Sequence, residues 1–158
     1  MITFSIFRMF DLDELQENLG GLWIPEIYRN DVRSQRTRSM SMDISERENS
    51  PDILHTLLGV ELKINKLRVA CPDLATARYL RVFARIGCRE IAVPYDITKI
   101  SKIADDLETA WQRMNLFLEG SSARIRNKAI GRIREEIGDI GAGEAMPEFK
   151  QTTKQRNV

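Results

Sequence analysis

The residues in this chain best equipped to hold another molecule are arginines. Arg78, Arg81 and Arg85 recur at intervals of three and four, a spacing that sets them in one row on a helix. Such a row, with Arg89 beside it and Arg33, Arg36 and Arg38 upstream, can grip nucleic-acid phosphates or the acids of a protein surface. The alternative use of a charged stripe is a solvated helix face. No aromatic residues interleave the row as base-stacking platforms would. A second group, Cys71, Asp73, Tyr95, Asp96, Thr98 and Lys99, would meet where two neighbouring strands end, the edge at which open α/β sheets bind ligands. That edge suits a small-molecule sensor, or else its residues are caps and turn formers. It has no glycine-rich loop, which argues against a dinucleotide or P-loop site. His55 is the single histidine, so it has no second imidazole with which to share a metal.

Pro51-Asp52 is followed by Glu61-Leu62-Lys63. This pattern resembles the PD-(D/E)xK signature of metal-dependent nucleases, over residues 51–63 alone. The resemblance implies Mg²⁺ held by Asp52 and Glu61, with Lys63 stabilising charge or positioning the attacking water. It also implies a core of the strand, helix, strand order that follows here. Read from the residues themselves, Ser50-Pro51-Asp52 starts a helix, whereas the family's aspartate starts a strand. Glu61 and Lys63 then share one solvated strand face.

Composition narrows the classes further. A chain of 158 residues with 42% hydrophobic and 30% charged residues has the make-up of one globular domain. Lysine and arginine number 24 against 23 acids, a net charge of +1, so any basic surface must be local. The opening MITFSIFRMF lacks a basic n-region and is too short to span a bilayer. No membrane association is expected. Two cysteines, Cys71 and Cys88, read as reduced thiols of a cytoplasmic protein.

The elements that must position these residues follow from periodicity. Residues 1–28 read as a strand over Ile2, Phe4 and Ile6, a short helix LDELQENL and an extended LWIPEIY, all packed on the core. Residues 29–49 lose the apolar period and read as a flexible polar linker, basic and then acidic. Residues 50–120 form the α/β core. It comprises a short helix SPDILHTLLG, a hairpin of VELKI and LRVAC around Asn65-Lys66, a helix to Gly87, the strand REIAV and a long helix capped by Asp96. LRVAC, helix and REIAV are expected to make a right-handed βαβ unit with parallel strands. Residues 121–140 form an amphipathic helix, and residues 141–158 read as a disordered tail. The helix carries Ile130, Ile133, Ile137 and Ile140 at heptad-like spacing. That stripe packs on the home domain by default, or docks on a partner or a second copy.

The expected fold class is therefore α/β, a small mixed sheet with flanking helices, an arm and a C-terminal extension. The preferred function is a non-catalytic regulatory or adaptor protein, without a cofactor, that binds a protein or nucleic-acid partner through the basic helix face and its arms. The alternatives are the Mg²⁺-dependent nuclease and the small-molecule sensor.

Overall fold

The computed structural model describes residues 11–143. In chain order it comprises α1 (Leu12–Leu19), a 3₁₀ turn (Gly20–Leu22), α2 (Ile24–Ile27), a wide helical turn (Tyr28–Val32), β1 (Thr37–Ser41), β2 (Asp52–Thr56), β3 (Gly59–Ile64) and β4 (Leu67–Cys71). Then come α3 (Leu74–Ile86), β5 (Glu90–Pro94), α4 (Ile97–Leu118) and α5 (Ala123–Ile140). The class is mixed α/β, built from helices and two small antiparallel sheets, β2-β3-β4 and β1-β5. The meander packs on α3, α3 packs along α4, and α5 lies against α2 and α3.

Helices α3, α4 and α5 form over stretches expected to be helical. Asp73 caps α3 by accepting from the Thr76 N–H at 2.7 Å, and Gly87 ends it at φ 90°. Asp96 caps α4 and Ser122 caps α5 in the same way. The faces of α3 and α4 that carry Tyr79, Val82, Phe83 and Ile86, and Ile103, Leu107, Trp111 and Met114, are buried together. Ile130, Ile133 and Ile137 are 1%, 0% and 1% exposed and belong to the same core. Three of the four stripe residues are thus spent within the chain, while Ile140 is partly buried against the core. Asn65, at φ 56°, makes the expected turn between β3 and β4.

Four expectations are corrected. SPDILHTLLG is not a helix, because residues 52–56 pair antiparallel with β3 in a ladder from Asp52 opposite Lys63 to Thr56 opposite Gly59. A helix start is worth about 1 kcal/mol locally, less than a ladder that also packs Ile53 against the core. Second, β4 and β5 are not parallel neighbours, since β4 is the edge of the meander and β5 pairs antiparallel with β1. Third, residues 29–49 are not merely a linker. They contain β1, and they place Val32, Met42, Ile44 and Asn49 among the buried residues. Fourth, LWIPEIY packs on the core as helical turns rather than extended chain, with Pro25 where a missing N–H costs no hydrogen bond. The strand read at Ile2 to Ile6 and the tail over residues 144–158 lie outside the described residues.

Burial explains why β5 resembles a parallel strand. Ile91, Ala92 and Val93 are all fully buried, the unbroken apolar run typical of βαβ strands. Here two tyrosines take the place of a second neighbouring strand. The Ala92 N–H donates to the Tyr28 hydroxyl at 2.9 Å, and the Ala92 carbonyl accepts from the Tyr79 hydroxyl at 2.5 Å. The Tyr28 hydroxyl in turn donates to the Gly141 carbonyl at 2.8 Å. Burial raises the pKa of both phenols.

Two stability measurements test this packing. A methyl group at Gly87 would lie 2.4 Å from the Arg47 carbonyl oxygen and would also have to tolerate φ +90°. Gly87→Ala is therefore expected to lower unfolding free energy by about 2–3 kcal/mol in urea titrations. Burial also pushes the Cys88 thiol from 9.0 up to about 12. Because the folded value lies above the unfolded one, the protonated thiol's contribution is complete below pH 9.0 and is lost as pH climbs towards 12. Urea midpoints should fall across that window, and Cys88→Ala should flatten the fall.

Candidate binding cleft

The arginine row of α3 faces α4. Positions 78, 81 and 85 run alongside Asp105, Glu108 and Trp111 where the two helices pack. Arg78 donates to both Glu108 oxygens, at 3.0 and 2.6 Å, and also pairs with Asp105. Arg81 reaches the same Glu108 at 3.1 Å. These bonds lower the Glu108 pKa and raise that of Arg78, hydrogen bonding to Arg78 being the first cause for the carboxylate. Arg78 and Arg81 thus serve the helix seam, with side chains 22% and 26% exposed.

Arg85 differs. Among the described residues no carboxylate lies within ion-pair distance of it. Its guanidinium carbon sits over the Trp111 ring, 5.9 Å from the centroid, near the outer limit for a cation–π contact. Burial, and then the neighbouring Arg81 charge, pull its pKa below the usual guanidinium range. The environment therefore disfavours this charge as it stands.

Beside Arg85 runs the 42–51 loop, fastened to the C-terminus of α3. A helix end leaves carbonyls without partners, and here each is supplied. Gly87 and Cys88 N–H groups donate to the Phe83 carbonyl, both at 3.0 Å. The Asn49 side chain donates to the Ala84 carbonyl at 3.1 Å, and the Asn49 N–H to that of Arg85 at 3.0 Å. Arg134 from α5 donates twice to the Ile86 carbonyl, at 3.0 and 2.8 Å. One residue before Asn49, Glu48 accepts both prongs of Arg126 at 2.8 and 2.7 Å. Arg126 also lies over Trp111, 5.7 Å from the ring centre.

These attachments enclose an open polar cleft of about 450 Å³ whose lining includes Ser50, Asp52, Arg85, Trp111, Gln112 and Arg126. A second cleft, of about 640 Å³, shares Glu48 and Ser50 and reaches Arg47, Asn127 and Arg134. Of the residues marked by sequence, Arg85 and Asp52 line the first cleft and Ile130 the second. Arg126, Trp111 and Glu48 were not marked. Glu48 and Arg126 are 78 positions apart, and no local pattern connects them.

The remaining candidates disperse. Arg33 donates to Thr37 at 3.2 Å, and Arg36 stacks on Tyr95 at 4.9 Å. Arg38 is exposed on β1. Arg89 binds the Ile44 carbonyl at 2.9 Å, at the other end of the β1-β5 ladder from Tyr95. Because β4 and β5 lie in different sheets, Cys71 and Asp73 share no strand edge with Tyr95, Asp96, Thr98 and Lys99.

Asp52 opens β2 opposite Lys63, not in a helix turn. Glu61 lies two positions before Lys63 on β3, opposite Leu54. All three share the sheet face turned away from the buried Leu62 and Ile64. Glu61 accepts from Arg68 of β4 at 3.2 Å, a diagonal pair, while Arg68 stands directly opposite Lys63. Among the described residues no group of three or more histidines, cysteines or acids is arranged to hold a metal. His55 is exposed on β2. No described helix is long and apolar enough to cross a membrane.

The shared carboxylate of Glu108 generates a prediction. Its folded pKa lies below the unfolded 4.5, so its stabilising effect is complete above that value and is lost as pH falls through the folded pKa. Glu108→Gln should lower stability at neutral pH and weaken the decline below about pH 5, as read by thermal unfolding at stepped pH. No family model, curated protein or solved structure matches this chain, so its geometry is the ground for any functional reading.

Proposed function

We propose that this chain is a non-catalytic adaptor or regulatory protein that docks a protein partner at the end of α3. The supporting observation is Arg85. It alone of the α3 row lacks a carboxylate, and it opens onto a cleft whose loop wall is tied down residue by residue. A protein surface suits the cleft better than a nucleic acid, because Glu48 and Asp52 in the lining offset Arg85 and Arg126, which leaves no net positive charge to draw a run of phosphates. Arg38 and Arg89 are exposed and can add peripheral charge. The free thiols of Cys71 and Cys88 fit a reducing compartment such as the cytoplasm. In a pull-down with nuclease-treated lysate, the wild-type chain should retain a protein partner that Arg85→Glu loses and Lys66→Glu keeps. Retention by the Arg85 variant, with its circular dichroism unchanged, would sink this reading.

The nuclease reading gains one observation, the placement of Asp52, Glu61 and Lys63 on one sheet face with Asp52 at the start of a strand. If the chain is such an enzyme, Mg²⁺ should support cleavage of DNA or RNA, and Asp52→Ala or Lys63→Ala should abolish it.

A further inference from the structure

The cleft beside Arg85 also indicates what chemistry its occupant presents, an inference that rests on the docking reading above. Two guanidiniums lie over the same Trp111 ring, and one already shows the site's preference, since Arg126 holds the planar Glu48 carboxylate with both prongs. The other, Arg85, has the same aromatic wall, with Ser50 and Gln112 in the lining, but no acid within ion-pair distance among the described residues. We propose that Arg85 is the receptor for an acidic side chain of a protein partner, whose carboxylate binds the Arg85 guanidinium in the cleft beside Trp111 and the Glu48–Arg126 pair.

Geometry selects the carboxylate over a phosphate. The planar carboxylate matches the guanidinium fork, as Glu48 already matches Arg126. Asp52 is near enough for Arg85 to feel its charge, and with Glu48 it offsets the two arginines of the lining, which leaves no net positive charge to favour a dianion. Burial beside Arg81 disfavours the Arg85 charge, and a bound anion removes part of that cost.

The test uses the full chain labelled with ¹⁵N, titrated with hexaglutamate, hexaglutamine and inorganic phosphate. The readout is the indole N–H resonances of the two tryptophans. Trp23, whose indole N–H is held by Glu136 at 2.8 Å, serves as the internal reference. Hexaglutamate should shift the Trp111 signal saturably and leave Trp23 in place, while hexaglutamine should do nothing. Arg85→Gln should weaken binding about tenfold or more. Arg85→Lys, which keeps charge but loses the fork, should weaken it less. Asp52→Asn should tighten it by about threefold.

An equal response to hexaglutamine, or unchanged affinity in a folded Arg85→Gln variant, overturns the proposal. So does phosphate acting at lower concentration than the peptide. If hexaglutamate binds as expected while the Arg85→Glu pull-down loses no partner, the docking reading fails and the ligand assignment stands. If the partner is lost but hexaglutamate never moves Trp111, the ligand assignment fails and docking stands.

Discussion

The C-terminus of α3 is the constraint on which much of the remaining structure depends. Its last carbonyls are buried, and an unsatisfied buried carbonyl costs about 1–3 kcal/mol. The chain supplies donors from two distant segments, Asn49 from the loop before β2 and Arg134 from α5. Gly87 lets the loop approach, because any side chain there would collide with the Arg47 backbone. Satisfying one helix end thus fixes the route of the 42–51 loop, the seat of α5 and the walls of both clefts.

The near-zero net charge acquires a structural meaning. Many arginines are committed internally, Arg78 and Arg81 to Glu108, Arg126 to Glu48, Arg132 to Asp13 and Arg134 to a backbone carbonyl. Within the α3 row Arg85 is the member left without an acid, although it is partly buried on the same seam. Its isolation follows from helix spacing, since α4 places an acid beside Arg78 and Arg81 but an aromatic ring at the next turn, beside Arg85.

Much of the helical framework was legible in the residues. Asp96 announced a helix start, Gly87 announced a stop, and the apolar sets of α3, α4 and α5 chose the buried faces. These signals are local and therefore readable. The sheets were misread because strand pairing is not local. The same Ser-Pro-Asp that starts a helix also leads into a strand once β3 offers a ladder. An unbroken run such as Ile91 to Val93 reports burial but not its direction or neighbour. The cleft was legible only through Arg85 and Asp52. Its other walls are assembled by contacts between segments far apart in sequence.

The tyrosine hydroxyls along β5 carry a consequence for the molecule among its own copies. A two-stranded ribbon ordinarily has two open flanks, each able to recruit another strand and to seed aggregation. On β5, the central N–H and C=O are already taken by Tyr28 and Tyr79 within the core. Growth on that side is closed by side chains rather than by backbone, so the ribbon can be extended only past β1.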